Sequence, residues 1–320
     1  MKIVVTGGAG FIGSNIAEYW NNNGQEVVVI DNLRSGYASN IEKFENVTLI
    51  KESITKRDAV FDSLKNADYV FNLAALVSVP ESIDKPLECV DINVKGLINL
   101  LDACKEHKVK KIVHSSSAAV YGDKPELPKI VSMVPAPKTP YAITKLDGEY
   151  YLNMYKEQYG LNTLSLRYFN VFGPRQNPKS QYAAAIPIFI EKALNNENIT
   201  IYGDGKQTRD FIFVKDVVKA NVLGAENERI NGVFNVACGN SITIEKLALK
   251  IIELTGSNSK IIFEQERKGD IKFSLASIER TKEQLGFSPD VKLEQGLLKT
   301  ISYFKGIEKN LAQQAAKKMI

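Results

Sequence analysis

Residues 3–13 read Ile-Val-Val-Thr-Gly-Gly-Ala-Gly-Phe-Ile-Gly, and this stretch decides the fold. Residues 3–6 have the apolar and β-branched character of a buried strand. Gly7, Gly10 and Gly13 follow directly, and helical periodicity is expected from about residue 12 to residue 24. A strand that turns through glycines into a helix presents unpaired backbone N–H groups, which can bind an anion. The stretch therefore predicts the first unit of a parallel α/β sheet.

The rest of the first half alternates short apolar runs with helical stretches. Further strands are predicted at 26–30, 47–51, 69–73, 111–115 and 163–167, and further helices at about 57–66, 91–107 and 141–159. This alternation predicts an α/β fold built on a doubly wound parallel sheet of the Rossmann type. Residues 122–140 carry five of the eleven prolines, so they are expected to form a long ordered loop that leads into the 141–159 helix.

After Pro174 the pattern becomes less regular. Short strands are predicted near 199–202, 211–214 and 233–237, and helices near 183–195, 243–255 and 293–304. We therefore expect a smaller, partly interleaved C-terminal α/β substrate domain. The predicted division assigns 1–173 and about 211–238 to the first domain, 174–210 and 239–308 to the second, and 309–320 to a solvated tail.

Composition excludes several classes of function. A formal charge of +4, mixed along 320 residues, is too small to predict nucleic-acid binding, although it mildly favours an anionic substrate. With two histidines and three scattered cysteines, neither a histidine-based metal centre nor a disulfide framework is expected. The chain opens on a strand pattern and contains no apolar run of membrane-spanning length, so a cytoplasmic protein without a membrane partner is expected.

An acidic residue indicates which anionic ligand the glycine loop binds. Asp31 ends the second predicted strand and stands 18 residues after Gly13. At that place a carboxylate accepts hydrogen bonds from the ribose of a dinucleotide and repels a 2′-phosphate. The spacing therefore predicts NAD as cofactor. Arg34, three residues further on, leaves NADP open as an alternative.

Tyr141 and Lys145 indicate hydride chemistry. Residues i and i+4 share a helix face, so the Lys145 ammonium group is expected near the Tyr141 phenol. A free tyrosine has a pKa of about 10; together with the positive ring of an oxidised nicotinamide, the ammonium group is expected to lower it towards the working range. Tyr141 would then act as a general base. Such a pair is weak by itself, but here it follows a dinucleotide loop and lies downstream of Ser117.

In this order the motifs resemble the extended short-chain dehydrogenase/reductase family and, within it, the nucleotide-sugar epimerases. The resemblance covers nearly the whole chain and rests on Thr6–Gly13, Asp31–Leu33, Asn72–Ala75, Ser115–Gly122, Tyr141 with Lys145, Arg167–Arg175, Gly203–Phe211 and Arg267–Asp270. It implies that Ser117 hydrogen-bonds the reacting hydroxyl, that Tyr141 is the base, and that Lys145 holds both the ribose and the phenolate.

The resemblance also implies the contacts of cofactor and substrate. The implied NAD contacts are Gly7, Gly10, Phe11, Ile12, Gly13, Asp31, Asn32, Ser53, Ile54, Leu73, Ala74, Ala75, Tyr141 and Lys145. The implied UDP-sugar contacts are Val77, Ser78, Ser117, Ala118, Tyr141, Asn170, Tyr202, Arg209, Arg267, Asp270 and Ser274. Asn170, Arg209 and Arg267 would bind the UDP phosphates, which suits an amide and two guanidinium groups. Ser53 departs from the family, which usually has aspartate there, but a serine can still hydrogen-bond the adenine amine.

Two alanines narrow the reaction. Relatives that eliminate water or carbon dioxide carry acidic residues directly after the catalytic serine or threonine, where this chain has Ala118 and Ala119. Methyl groups cannot move protons, so a dehydratase or decarboxylase is disfavoured. What remains is a 4-epimerase, which oxidises the sugar 4-hydroxyl to a 4-ketosugar and reduces it again on the opposite face.

Ser274 addresses the choice of sugar. By resemblance, the fourth residue after Asp270 faces carbon 2 of the hexose, and a small serine leaves room for an N-acetyl group where glucose-restricted relatives carry tyrosine. The run Leu76–Ile83 also resembles epimerases that prefer N-acetylated substrates. UDP-N-acetylglucosamine and UDP-N-acetylgalactosamine are favoured, with UDP-glucose and UDP-galactose as second substrates.

Three alternatives and one partner complete the predictions. The enzyme alternatives are a UDP-glucose and a UDP-glucuronate 4-epimerase, and the third is a non-catalytic dinucleotide-sensing or RNA-binding member of the fold. The resemblance further implies a homodimer in which helices 91–107 and 141–159 pair across a two-fold axis.

Overall fold

A computed structural model of the chain describes residues 1–178, 184–266 and 272–318, with side chains described as far as residue 306. The strands are β1 (Lys2–Thr6), β2 (Glu26–Ile30), β3 (Val47–Ile50), β4 (Tyr69–Asn72), β5 (Lys111–Ser117), β6 (Thr163–Tyr168), β7 (Asn170–Phe172), β8 (Ile199–Tyr202), β9 (Thr208–Arg209), β10 (Phe211–Phe213), β11 (Gly232–Val236), β12 (Ile242–Thr243) and β13 (Ile261–Glu264). Seven of them form one sheet in the order β11-β6-β5-β4-β1-β2-β3, in which every neighbouring pair is parallel. The predicted doubly wound α/β class is confirmed.

Helices cover both faces of this sheet. They are α1 (Phe11–Asn22), α2 (Arg57–Leu64), α3 (Val79–Asp84), α4 (Pro86–Val90), α5 (Gly96–Glu106), α6 (Pro140–Tyr159), α7 (Ala185–Leu194), α8 (Val214–Glu226), α9 (Ile244–Thr255), α10 (Glu279–Leu285) and α11 (Leu293–Lys318). Successive residues of a strand point to opposite faces. Ile3 and Val5 accordingly join the apolar layer that contains Trp20 of α1, whereas Val4 joins the layer that contains Leu100 of α5.

The order of the strands creates a crevice at one edge of the sheet. β1 lies between β2 and β4, so the chain leaves the carboxyl end of β1 towards one side of the sheet and returns through α2 to the other side. In open α/β sheets ligands bind where the strand order reverses in this way, outside the carboxyl ends of the strands. Residues that follow β1, β2, β3 and β4 therefore converge on one place.

Several element boundaries differ from the sequence prediction. β5 continues to Ser117, two residues beyond the predicted end, and the predicted 91–107 helix begins with a π-helical turn at Asp91–Lys95. α6 begins at Pro140 and is capped by Thr139, whose Oγ1 accepts a hydrogen bond from the Ala142 N–H (3.3 Å). Residues 122–139, all of them described, form the expected loop, in which only Lys129 makes an isolated bridge, to Ala276.

The sequence prediction missed four helices (α3, α4, α8 and α10) and four short strands (β7, β9, β12 and β13). In α8 most residues are buried, including Val214, Val217, Val218 and Val222, and only a narrow stripe that includes Lys215, Lys219 and Glu226 reaches solvent. Valine also has a low helix propensity. The tertiary environment decides that segment.

Most of the remaining elements lie outside the large sheet. β7 pairs with β10, β9 with β12 and β8 with β13. Helices α7, α9 and α11 enclose a separate apolar cluster that includes Phe172, Ile190, Leu247, Ile251 and Leu297. β11 returns to the large sheet, which suits the assignment of 211–238 to the first domain, but the predicted domain division stays a prediction.

Asp210 connects the end of the large sheet with segments that lie outside it. It is fully buried, and its carboxylate accepts hydrogen bonds from the backbone N–H groups of Cys238 (2.9 Å), Gly239 (3.0 Å) and Ala276 (3.3 Å). Burial raises the pKa of this carboxyl group to about 6, although the three N–H donors act in the opposite direction. One side chain therefore holds three chain segments that are distant in sequence.

Two kinds of feature are absent from the part of the chain that the structure describes. None of the described helices combines the length and apolar character needed to cross a membrane. The described histidine, cysteine, aspartate and glutamate side chains form no group of three or more that could hold a metal ion.

Candidate active site

A cavity of about 650 Å³ occupies the crevice at the carboxyl ends of the strands. The predicted site residues that line it are Gly7, Gly10, Phe11, Ile12, Gly13, Asp31, Asn32, Ser53, Ile54, Leu73, Ala74, Ala75, Val77, Ser117, Tyr141 and Lys145. These residues come from distant segments of the chain. The parallel sheet gathers them because the carboxyl ends of its strands lie at the same edge.

Other predicted residues lie elsewhere. Ser78, Ala118, Asn170, Tyr202, Arg209 and Ser274 are not among the residues that line this cavity, and Arg267 and Asp270 lie outside the described residues. The cavity is also lined by residues that the sequence prediction missed, among them Tyr37 and Asn177, which are joined by a hydrogen bond from Asn177 Nδ2 to the Tyr37 hydroxyl oxygen (2.9 Å). They belong to surface turns 140 residues apart, so no local pattern could have paired them.

The glycine loop forms a tight cradle for an anion. Gly7 has a φ of +66°, and a Cβ on Gly13 would lie 2.2 Å from the Gly7 carbonyl oxygen, so side chains are excluded there. α1 starts at this loop with Gly10 as its N-cap, and no side chain caps its first turn. The uncapped N–H groups and the positive end of the helix dipole fit a pyrophosphate.

Asp31 lies beside this cradle. Its carboxylate is 8% exposed and accepts hydrogen bonds from the backbone N–H groups of Ala9 (3.0 Å) and Leu33 (2.8 Å). Both bonds orient the carboxylate at the cavity wall, while further lone pairs of its two oxygens stay available for ribose hydroxyls. The residues present therefore fit the dinucleotide that the sequence predicted.

Ser53 is less well suited to its predicted contact. Its Oγ accepts hydrogen bonds from the backbone N–H (3.2 Å) and the hydroxyl (2.9 Å) of Thr55. Both acceptor positions of a hydroxyl are then in use. An adenine amine would have to displace one of these bonds, so the adenine contact stays a prediction.

The three predicted catalytic residues meet at the centre of the cavity. Ser117 ends β5, while Tyr141 and Lys145 lie in the first two turns of α6. Lys145 is 2% exposed, donates a hydrogen bond to the Ser115 carbonyl oxygen (2.7 Å), and places its Nζ 5.8 Å from the centre of the Tyr141 ring. The Ser117 side chain lies close enough to the Tyr141 phenol to lower its pKa. A hydroxyl, a phenol and an amine thus share one small volume.

Burial shifts the pKa values of Tyr141 and Lys145 in opposite directions. In the protein alone, burial raises the pKa of the phenol, and the nearby Ser117 side chain only partly opposes this effect. Burial also lowers the pKa of Lys145 to about 8, because the charged amine is removed from water. The expected lowering of the Tyr141 pKa concerns the state with an oxidised nicotinamide bound, and for that state it stays a prediction.

Close packing fixes α6 against β5. Gly148 lies so near His114 that a Cβ would come within 2.7 Å of the His114 Nε2. His114 is buried, and its pKa lies well below the ordinary value because of burial and the nearby Lys145. Its Nδ1 contacts the Asn72 Nδ2 (3.0 Å), an obligate donor, while the Asn72 Oδ1 accepts from the Thr6 hydroxyl (2.7 Å). The neutral imidazole therefore carries its proton on Nε2. The lack of a side chain at Gly148 thus allows α6 to pack closely against β5.

A buried ion pair also connects α6 with the central sheet. Glu149 of α6 accepts two hydrogen bonds from Arg167 of β6 (2.8 and 2.7 Å) and one from the Ser116 hydroxyl. Both charged side chains are 4% exposed. Such a bidentate pair has a well-defined geometry, so it holds the ends of β5 and β6 in register with the helix that carries Tyr141.

The glycine loop leads to one prediction. Gly13→Ala should destabilise the protein by about 1–3 kcal/mol because the new methyl group overlaps the Gly7 carbonyl. It should weaken dinucleotide binding by about 10–100-fold, since one or two N–H bonds to the anion are misplaced. Calorimetric titration and thermal unfolding measure both effects. Gly306→Ala is the control, because nothing lies within 4 Å of that position. Equal effects of the two substitutions would contradict the assignment.

The burial of Lys145 leads to another prediction, about pH. With a pKa of about 8 in the folded protein and an ordinary value of 10.5, the charged amine is disfavoured by folding. The free-energy cost of burying the charged Lys145 amine is fully present below pH 8 and disappears as the pH rises to 10.5. Without dinucleotide, the wild type should therefore gain about 3 kcal/mol of unfolding free energy relative to Lys145→Met across this range. Urea unfolding measures it, with Lys156→Met, at an exposed position of the same helix, as control. A difference that does not change with pH would contradict this prediction.

Comparison with known proteins identifies the family of this chain. The statistical model of the NAD dependent epimerase/dehydratase family matches residues 3–237. The structure of a UDP-N-acetylglucosamine 4-epimerase from Methanobrevibacter ruminantium M1, in complex with UDP-N-acetylmuramic acid, is 46% identical, with a TM-score of 0.91, and the match covers 95% of this chain and 98% of that one. The structure of a UDP-glucose 4-epimerase from Thermotoga maritima with UDP-glucose is 38% identical, with a TM-score of 0.91. The match covers 96% of this chain and 99% of that one. A UDP-glucose 4-epimerase of Mycolicibacterium smegmatis is 37% identical over 95% of this chain and 99% of its own length.

Proposed function

The chain belongs to the NAD-dependent epimerase/dehydratase family, and on that premise we propose that it interconverts UDP-N-acetylglucosamine and UDP-N-acetylgalactosamine. The sequence prediction of an NAD-dependent UDP-sugar epimerase is confirmed. The observation that carries the proposed chemistry is the meeting of Ser117, Tyr141 and Lys145 in the cavity that the glycine loop also lines. The choice of sugar is the part that goes beyond family membership.

In the proposed mechanism, the chain's own residues move one proton and orient one carbinol. NAD, when bound by the glycine loop and Asp31, supplies the acceptor and later the donor of a hydride. Tyr141 removes the proton of the sugar 4-hydroxyl, and Ser117 holds that hydroxyl by a hydrogen bond. Lys145 keeps a positive charge beside the phenolate. After the 4-ketosugar has turned, the Tyr141 hydroxyl returns the proton and the opposite configuration results.

Ala118 and Ala119 support epimerisation over elimination. Both follow Ser117 directly and form the start of a short 3₁₀ turn. Elimination of water or carbon dioxide requires an added acid or base at this place, and methyl groups supply neither. Inversion at one carbon remains, and in that reaction the cofactor ends in the state in which it began.

The sugar preference rests on two observations. Ser274 is small and half-buried, and its backbone N–H donates to the Thr208 carbonyl oxygen (3.1 Å), which holds it beside β9 and Arg209. The chain is also 46% identical to an enzyme that is named a UDP-N-acetylglucosamine 4-epimerase. A serine at that position leaves room for an acetamido group, and a hydroxyl to bind it.

Initial rates on three substrates test the proposal. The protein is incubated separately with UDP-N-acetylglucosamine, UDP-glucose and UDP-glucuronate, and the epimers are separated by chromatography. We expect the highest kcat/KM for the N-acetylated sugar and a lower value for UDP-glucose. A higher kcat/KM for UDP-glucose or UDP-glucuronate would replace the proposed substrate by one of the two alternatives. No epimerisation together with tight RNA binding would favour the non-catalytic alternative.

We further propose that the enzyme is a homodimer in which α6 and the helical segment 91–107 pair with their copies across a two-fold axis. Apolar side chains are exposed on and beside these helices, including Val90 (46%), Ile143 (46%) and Tyr150 (61%). Burying them in a four-helix interface removes apolar surface from water. Sedimentation at micromolar concentration should give a dimer, and Ile143→Lys should weaken it. A wild-type monomer would refute the proposal.

A further inference from the structure

Arg34 stands where a cation could bind the 2′-phosphate of NADP, yet it is engaged elsewhere. It lines the dinucleotide cavity three residues after Asp31, at the end of β2. Its guanidinium group makes ion pairs with Glu81 of α3 (2.7 Å) and with Glu88 of α4. These partners lie 47 and 54 residues away in sequence. The arginine therefore reaches from the loop after β2 to the two helices that follow β4.

The ion pairs form a balanced group of charges, which we call the Arg34 cluster: Arg34, Lys85, Glu81 and Glu88. The Lys85 Nζ lies 3.3 Å from a Glu81 oxygen and 3.9 Å from a Glu88 oxygen. Two cations thus face two carboxylates, and the formal charge of the cluster is zero. Without the carboxylates, the same place beside the cavity would carry a charge of +2.

We propose that Glu81 and Glu88 determine cofactor specificity by holding Arg34 away from the position of a 2′-phosphate. Arginine near the ribose is the usual means by which this kind of site accepts NADP, because a guanidinium group binds phosphate through two parallel hydrogen bonds. Asp31 disfavours a 2′-phosphate by charge repulsion. The two glutamates keep the Arg34 guanidinium group from binding that phosphate. The inference concerns the cofactor and does not depend on which sugar the enzyme converts.

The local geometry supports this assignment. The Arg34 backbone N–H donates to the Asn32 side-chain oxygen (3.1 Å), and Leu33 has a φ of +59°, so the turn that carries Arg34 is tightly formed. The guanidinium group is about one-third exposed, as is Glu81. An arginine on this turn that was released from its carboxylates would remain attached to the cavity wall and free to rotate towards a phosphate.

A displacement experiment on the holoenzyme tests the proposal. Bound NAD is challenged with increasing NADP⁺, and the nucleotide that remains on the protein is released and counted by chromatography. Glu81→Gln/Glu88→Gln should lower the half-displacing NADP⁺ concentration by roughly tenfold, taking each exposed ion pair to restrain the arginine about threefold. The half-displacing NADP⁺ concentration of each single variant should lie between those of the wild type and the double variant. A double variant that behaves like the wild type would overturn the proposal.

Two further variants distinguish an effect that requires Arg34 from an effect of net charge alone. Asp84→Asn removes an exposed carboxylate of α3 that neither lines the cavity nor belongs to the Arg34 cluster, so it should leave the half-displacing concentration nearly unchanged. Adding Arg34→Met to the double variant should abolish most of the gain. If the gain persists in full without Arg34, or if Asp84→Asn produces it equally, the effect is one of net charge and the proposed role of Glu81 and Glu88 is wrong.

Discussion

Tyr141→Phe should lower kcat by about 10²–10⁴-fold, because it removes the only atom through which this side chain can take the substrate proton. The ring is kept, so the packing of α6 should be undisturbed. UDP-sugar binding should remain nearly unchanged, since the phenol hydroxyl is one contact among many. Steady-state rates on UDP-N-acetylglucosamine, together with calorimetric titration of UDP, measure the two quantities.

Tyr159→Phe is the matched control for this prediction. Tyr159 ends the same helix and is 53% exposed, so the same chemical change is made away from the cavity. Its kcat should equal that of the wild type. Unchanged turnover in Tyr141→Phe would refute the base assignment, and a parallel loss of UDP binding would point to a structural role for the hydroxyl instead.

Ser274→Tyr should reduce turnover of N-acetylated sugars by about 100-fold or more, since displacing the reacting carbon by about 1 Å is already costly to that extent. Turnover of UDP-glucose, which lacks the acetamido group, should be spared. The backbone bond from Ser274 to Thr208 involves no side-chain atom and can persist in the variant. The ratio of kcat/KM for the two sugars measures the effect independently of protein quality.

Ser274→Ala separates volume from hydrogen bonding. It removes the hydroxyl and adds no bulk, so the N-acetylated sugars should still turn over, at a rate reduced by at most the loss of one hydrogen bond, about 10-fold. If Ser274→Tyr lowers the rates of both sugars equally, the side chain does not act as a gate. The enzyme would then choose its sugar elsewhere.

Local spacing accounts for what could be predicted from the sequence. The glycine loop and Asp31 lie within one strand-helix-strand unit, and Tyr141 and Lys145 lie one helical turn apart, so short-range geometry nearly determines their arrangement. The structure gathers these residues in one cavity. By contrast, α8 was missed because its buried face is rich in valine and only a narrow stripe of the helix reaches solvent.

Properties that depend on solvent exclusion could not be predicted in the same way. The i, i+4 spacing predicted that Lys145 would help to lower the pKa of Tyr141, but burial raises it in the protein alone. The Ser53 hydroxyl, which is predicted to bind adenine, accepts two hydrogen bonds from Thr55 that the sequence did not indicate, and the adenine contact stays a prediction. In both cases the decisive neighbours or the loss of water follow from packing, which a linear pattern does not express.

The parallel α/β sheet, the dinucleotide loop and the helical pairing of phenol and amine could be predicted from local sequence, because their signals come from residues a few positions apart. The burial of these groups, the packing of α6 at Gly148 against His114, and the ion pairs of Arg34 with Glu81 and Glu88 depend on packing in three dimensions. Ion pairs and desolvation join residues across the fold. Their strength is set by distance in space, which the sequence alone does not specify.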